Sequence, residues 1–329
     1  RIVSGGIMPD CRRNVYIHPA LPPPPPTACG RHSTPNDMPV IIDPALPAAS
    51  LLKNENASFL AADGEKADIT MAFINLMPVK PDTERDFLRI IAPSRHIVDV
   101  KLVNMASHKC RNTTAEHLQR FYTTFDRLQS HPDCAIITGA PLENVRFENV
   151  DYWQEITDVF DDLRRHSIPT LYICWGAYAA LYHFHGVKMH LLSTKLSGVY
   201  PHHIDNPRSS MLKGLKEPFY IPHSRFATWN HGEIIDIDEI TVEASGRQQG
   251  PYLLSSRYHP EYYFTGHGEY DTFTLDNEYR RDIGKGLNPH VPVNYYPDDD
   301  PSQMPSDRWH DTATAIMSNW LDEVIAHQH

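Results

Sequence analysis

Residues 169–181, PTLYICWGAYAAL, decide the fold. The stretch opens as a buried β run, Leu171-Tyr172-Ile173, and reaches Cys174. It then turns through Trp175-Gly176 into an alanine-rich helix over Ala177 to Leu181. A strand that ends in a thiol and passes straight into a helix holds that side chain at a sharp corner, off the sheet edge. The helix N-terminus beneath it carries free N–H groups and partial positive charge, which favour thiolate. On local pattern alone, Cys174 reads equally well as a small hydrophobe on a buried strand, as many free cysteines are.

The flanking chain repeats the same grammar. ITMAFINL (69–76) is an apolar run rich in β-formers, and PDTERDFLRII (81–91) is an amphipathic helix with acids in its first turn. HIVDVKLVNM (96–105) alternates as a strand, and a helix begins near Thr114, with Leu118, Phe121, Tyr122 and Phe125 at helical spacing. CAIITGAP (134–141) is a buried strand ending in a glycine turn, and DYWQEITDVFDDLRRH (151–166) is a helix with acids early and bases late. Strands alternating with helices imply right-handed crossovers and a doubly wound, mostly parallel α/β sheet covered on both faces. In such sheets the chemistry sits at the carboxyl ends of the strands, where Gly139, Ala140 and Cys174 fall. After Gly186 the pattern is less regular, with strands near 234–245 and 261–266, a helix starting near Asp271 and a terminal helix over 307–325.

Before Met38 the chain holds the proline run Pro22 to Pro26 and no apolar periodicity. Residues 1–37 therefore read as a disordered proline-rich extension, and 38–329 as a single domain. The chain of 329 residues has a formal charge of −11 and no long Lys/Arg run, which argues against nucleic acid or an anionic membrane as partner. No stretch is long and apolar enough to span a bilayer. Five cysteines at irregular spacing form no CxxC, which points to a reducing cytoplasm. The twenty histidines are scattered and no HExxH occurs, so no metal site is expected.

A thiolate nucleophile needs a base, and the base an orienting group. Two stretches offer both, His259-Pro260-Glu261 and His267-Gly268-Glu269. Glu261 to Gly266 is the strand, so His267 leaves it at the carboxyl end and His259 precedes it at the other. His267 and Glu269 are the expected pair. With Cys174 they suit acyl chemistry: amide hydrolysis, peptidase action or acyl transfer. The N–H groups of Trp175 and of the Gly139-Ala140 turn, Ala140 in particular, are the candidate oxyanion donors.

INLMPVKPDTERDFLR, NTTAEHLQRFY, ITGAPLENVRFENVDYWQEI, YICWGAYAAL, TKLSGVY, PHSRF, TGHGEYD, RRDIGKGLNP and VPVNYYPDDDP stand in this order along the chain. Together they resemble the motifs of the homoserine O-acyltransferases of the transsuccinylase type, over nearly everything from Met38 onward. That family is similar in fold to the class I glutamine amidotransferases, a flavodoxin-like three-layer sandwich. The resemblance implies that Cys174 is the acyl-thioester nucleophile, His267 the proton acceptor and Glu269 its partner. It also implies that Lys195, Ser224 and Arg281 bind substrate, the cations suiting an amino acid's carboxylate. Glu143 matches the position that separates acyl donors, glutamate going with acetyl-CoA and glycine with succinyl-CoA; a carboxylate there repels and displaces a succinyl carboxylate.

The implied reaction is ping-pong acetyl transfer from acetyl-CoA to the γ-hydroxyl of L-homoserine, for methionine biosynthesis. Acyl-CoA is a co-substrate, and no cofactor is implied. Succinyl-CoA as donor and L-serine as acceptor are the alternatives, and the oligomeric state stays open, a homodimer among the options. Two departures stand out. The family's usual HPE is HGE here, which reads as a looser loop, and WGAYAAL lacks the glutamine of amidotransferase CxGxQ turns, which argues against a glutaminase.

Overall fold

A computed structural model describes residues 40–54, 59–60 and 66–328. The proline-rich stretch 1–37 lies outside the described residues. The elements in chain order are β1 (Val40–Ile41), α1 (Pro47–Asn54), β2 (Phe59–Leu60), β3 (Ile69–Ile74), α2 (Lys80–Ile91), β4 (Val98–Val103) and α3 (Ala115–Phe121). Then follow β5 (Cys134–Ile137), α4 (Trp153–Arg165), β6 (Thr170–Ile173), α5 (Trp175–His185), β7 (Met189–Ile204), β8 (Phe219–Trp229) and α6 (His231–Ile235). The chain closes with β9 (Ile240–Gly246), β10 (Gly250–Ser256), β11 (Glu261–Phe264), α7 (Thr274–Gly284) and α8 (His310–His327).

The strands form one sheet in the order β2-β1-β4-β3-β5-β6-β11-β10-β9-β7-β8. From β2 across to β11 every pairing is parallel. From β11 to β8 every pairing is antiparallel. The parallel strands alternate strictly between two cores. Met71, Phe73, Cys134, Ile136, Leu171 and Ile173 face a layer built from α1, α2 and α8. Ala72, Ile74, Ala135, Ile137 and Tyr172 face the other layer, with Ile156 and Phe160 of α4 and Ala177 to Leu181 of α5. Burial on both faces is why these strands read as unbroken apolar runs. The result is the three-layer, mostly parallel α/β sandwich that the strand–helix alternation predicts.

Several elements differ from the sequence reading. The helix after Thr114 stops at Phe121, and Phe125 lies in a separate 3₁₀ turn. Residues 234–245 are not one strand: α6 occupies the start and β9 begins only at Ile240. Strand β11 ends at Phe264, two residues earlier than read, and α7 begins at Thr274. The largest miss is β7 with β8, a hairpin of 16- and 11-residue strands. Among the described residues, no helix is long and apolar enough to cross a membrane.

Candidate active site

Register places the site before any side chain is considered. Ile173 of β6 pairs with Phe264 of β11, so both chains leave the sheet side by side at their carboxyl ends. Cys174 follows the first and Thr265-Gly266-His267 the second. The Cys174 N–H donates to the Phe264 carbonyl at 2.7 Å, and the Cys174 carbonyl accepts from Tyr178 N at 3.0 Å, the first turn of α5. Between these bonds Cys174 adopts φ 48°, ψ −114°. A side chain in that region costs on the order of 1–3 kcal/mol, held in place by the strand before it and the helix after it. Gly176 makes the corner possible, because a Cβ there would lie 2.8 Å from the Thr138 carbonyl oxygen. On the other side Gly139 abuts the thiol-bearing residue: a Cβ there would lie 3.2 Å from Cys174 Cβ and 3.7 Å from His267 Cε1.

Cys174, His267 and Glu269 are all buried. His267 Nδ1 and Glu269 Oε1 are 2.7 Å apart. Burial pulls the His267 pKa down, but the neighbouring Glu269 and Cys174 outweigh it, and the net shift is well above the ordinary value. The loop is fixed by a bond from the His267 N–H to the Pro222 carbonyl at 2.8 Å. The Tyr270 ring stacks on the imidazole, centroids 4.3 Å apart and planes 15° from parallel. The competing His259-Pro260-Glu261 lies at the opposite edge, where Glu261 accepts from Arg164 at 2.8 Å and from Tyr263 at 2.6 Å.

Of the three residues expected to bind substrate, two converge. Lys195 of β7 donates to Glu278 at 2.8 Å, and Ser224 of β8 donates to the same carboxylate oxygen. The other Glu278 oxygen faces the Tyr270 hydroxyl at 3.5 Å, which links this pair to the imidazole stack. Arg281 does not join them: its half-exposed guanidinium donates to the adjoining Asp282 at 2.8 Å. Asp282 in turn lies 3.9 Å from Lys195. Glu278 and Tyr270 were not singled out from sequence. Both sit within the motif-bearing stretch 265–289, and the signal was an acid on α7 one turn ahead of Arg281. Glu143 is half-buried in the turn after β5. Burial pushes the Tyr178 phenol up, Arg225 opposes, and Cys174 and Glu143 add to the rise, which sets Glu143 within electrostatic reach of the same surroundings as the thiol. Ala140 is buried beside Gly139, and Trp175 opens α5.

Behind this edge lies a polar core. Arg225 is buried, donating to the carbonyls of Ala227 and Gln249, the latter at 2.6 Å, and through Nε to His223 Nδ1 at 3.3 Å. His223 and His202 face each other at 3.1 Å through their Nε2 atoms. Burial first, and Arg225 with it, drives both imidazoles down, His202 to about 3 and His223 well below the usual value, so both are neutral. Among the described residues, the one donor set with metal-ligand spacing is His131, Asp162 and His166. It lies at the amino ends of β5 and β6, the edge opposite Cys174.

The homoserine O-succinyltransferase family model matches residues 39–329. A homoserine O-acetyltransferase of Streptococcus thermophilus is 43% identical over 293 residues, covering 88% of this chain and 93% of its own. One of the same name from Bacteroides thetaiotaomicron is 41% identical, covering 88% and 96%. The chain belongs to the homoserine O-succinyltransferase family. The activity that goes with membership is acyl transfer to homoserine, so the acyltransferase expectation holds. Among solved structures, a glutamine amidotransferase from Thermotoga maritima aligns with a TM-score of 0.55 at 10% identity, covering 79% of this chain and 99% of that one. A putative GMP synthase protein from Thermoplasma acidophilum aligns at 0.50 and 14% identity, covering 80% and 98%. These likenesses are of fold, and they match the amidotransferase-like sandwich expected from sequence.

Proposed function

We propose that this chain transfers an acetyl group from acetyl-CoA to the γ-hydroxyl of L-homoserine through a thioester on Cys174. The observation that carries the reading is the buried trio Cys174, His267 and Glu269 at the strand–helix corner, with His267 2.7 Å from Glu269 and both Cys174 and His267 lying against Gly139. His267 takes the thiol proton, and Cys174 Sγ attacks the donor's thioester carbonyl. The tetrahedral oxyanion is met by backbone N–H groups at Trp175 and Ala140, at the start of α5 and the turn after β5. The adduct collapses, the acyl group stays on Sγ, and His267 returns its proton to the departing CoA thiolate. The raised His267 pKa suits that second task, since the imidazole holds a proton to give.

In the second half, homoserine enters beside Lys195, Ser224 and Glu278. Glu278 suits its ammonium group and Lys195 its carboxylate. His267 removes the γ-hydroxyl proton, the oxygen attacks the thioester carbon, and the Cys174 thiolate leaves. Glu269 holds the imidazole in one tautomer. Burial of all three groups keeps water from the thioester. Acetyl rather than succinyl is supported by Glu143, whose carboxylate disfavours a second negative charge at the acyl pocket, and by the names of the relatives above.

The test is intact-protein mass after mixing with acetyl-CoA or succinyl-CoA and no acceptor, for wild type and Cys174→Ala. One acetyl adduct, absent in the variant and released by homoserine, is the expected result. A succinyl adduct instead would overturn the donor assignment and leave the thioester standing. An adduct that survives Cys174→Ala would overturn the nucleophile.

A further inference from the structure

We infer that the cavity at the carboxyl ends of β3 and β4 receives the phosphorylated nucleotide end of the acyl-CoA donor, with Lys109 and Arg111 as its anion-binding groups. The inference rests on the acyl-CoA reading above. The cavity measures about 300 Å³ and is walled by the loop after β3, the loop after β4 and Tyr152. That volume is at the small end of ligand sites, enough for phosphate and sugar but not for a whole coenzyme.

The cavity wall carries more cations than acids. The protein has a formal charge of −11, yet the lining includes Lys80, Lys109 and Arg111. The acid on the wall, Asp151, is engaged by His108 at 2.8 Å. Lys80 is the first residue of α2, its ammonium held by the Asn75 carbonyl and its N–H donating to Thr113 Oγ1 at 3.2 Å. It is buried and fixed, and burial lowers its pKa, so the exposed cations of the wall carry the anion-binding charge. Lys109 and Arg111 are exposed, and neither has an acidic partner among the described residues. Two unpaired cations on one short loop, beside a helix start and over a cavity, are the arrangement that phosphate oxygens satisfy.

Position joins the cavity to the chemistry. The Leu76 N–H on its wall donates to Thr138 Oγ1 at 2.8 Å, and the next residue, Gly139, abuts Cys174. Tyr152 meets Trp175 edge to face, ring centroids 6.1 Å apart, and Trp175 follows Cys174 directly. A donor whose acyl carbon sits at Cys174 therefore has this cavity within reach of its pantetheine arm along the same sheet edge. The bulky anionic end is held where the protein is positive, away from the acidic pair Glu269 and Glu278.

The experiment is titration calorimetry with free CoA and 3′-dephospho-CoA on the full chain, wild type and Lys109→Glu/Arg111→Glu. It is paired with turnover of acetyl-CoA and of S-acetylpantetheine, which lacks the nucleotide. The double reversal is expected to weaken CoA at least about tenfold, since charge-assisted bonds to phosphate are among the strong ones. Dephospho-CoA should lose less, and turnover of S-acetylpantetheine and the KM for homoserine should be unchanged. Unchanged CoA affinity in the variant overturns the inference while leaving the acyl-CoA reading intact. So does an equal loss with S-acetylpantetheine, which marks a general disturbance of the site. A wild type that forms no adduct from any acyl donor sinks the acyl-CoA reading itself, a result that the binding data alone do not produce.

Discussion

The two halves of the sheet hold together by different physics. In the parallel half, β3, β5 and β6 are buried and apolar on both faces, and each supplies one loop to the active edge. In the antiparallel half, β7 and β8 carry histidine, arginine, serine and lysine, and enclose Arg225, His202 and His223 in a hydrogen-bonded core. The first half fixes Cys174 by burying hydrocarbon; the second fixes Lys195 and Ser224 by satisfying buried polar groups. One tolerates change by repacking, the other only if every partner stays matched.

The largest effect is expected where the halves meet, at Glu269. Glu269→Gln keeps the shape of the side chain but presents an amide to His267 Nδ1 and loses the charge that stabilises the imidazolium. A drop in kcat/KM on the order of 10³–10⁴ is expected, with the fold intact by circular dichroism. A loss under tenfold would mean that the buried pair is structural and that the parallel edge works without it.

Acid unfolding separates the halves by sign. His202 and His223 are held neutral in the folded state, His202 down to about 3, while the unfolded chain binds protons near pH 6.5. Their contribution is present above that value and is lost as pH falls below it, at up to about 2.7 kcal/mol per pH unit for two protons. Asp86 on α2, over the parallel half, behaves oppositely. Burial outweighs its bonds to Arg85 and raises it to about 7, so its contribution is present at acid pH and is lost as pH rises from about 4 to about 7. Between pH 4 and 6.5 the three groups together leave one net proton, about 1.4 kcal/mol per unit. Urea unfolding across that range should show Asp86→Asn steepening the slope by one proton and His202→Gln flattening it by one. Matching shifts of the same sign would break the contrast.

The contrast also explains what was legible in the sequence. The Cys174 corner, its helix and β3 to β6 were readable because buried parallel strands are short apolar runs separated by helices of different period. His267 could be chosen over His259 because strand direction alone assigns each to an edge. The β7–β8 hairpin was not readable: PHHI and PHSRF look like polar loops, and their burial depends on partners brought together across 21 residues or more, as with His202 and His223. The convergence of Lys195 and Ser224 on Glu278 is of the same kind, since it joins three separate elements.

Glu278 sharpens the division at the level of function. Glu278→Gln removes the charge that Lys195 and Ser224 share but touches neither Cys174 nor the cavity at the ends of β3 and β4. The homoserine KM should rise about 10–100-fold, the worth of a charge-assisted bond, while Cys174 still takes up acetyl by intact mass. Failure of the acylation half-reaction would show that donor and acceptor sides are not separable.

The smallest effect is expected at Gly268, where the sequence suggested slack in place of the family's proline. The structure gives a different reason: a Cβ at 268 would lie 2.9 Å from Ala313 Cβ on α8, and the next neighbour, Ile221 Cδ1, is 3.8 Å away. The residue is small because a helix presses on it, in a loop that carries both His267 and Glu269. Gly268→Ala should cost about 1–3 kcal/mol by overpacking. Ala313→Gly alone should cost up to about 1 kcal/mol as a glycine in a helix. Together they should recover part of the first loss, because the second change removes the atom that the first one meets. Thermal or urea unfolding of the four species measures that coupling. Simple additivity would mean that the α8 contact does not set this position, and that the glycine answers to the loop's own backbone instead.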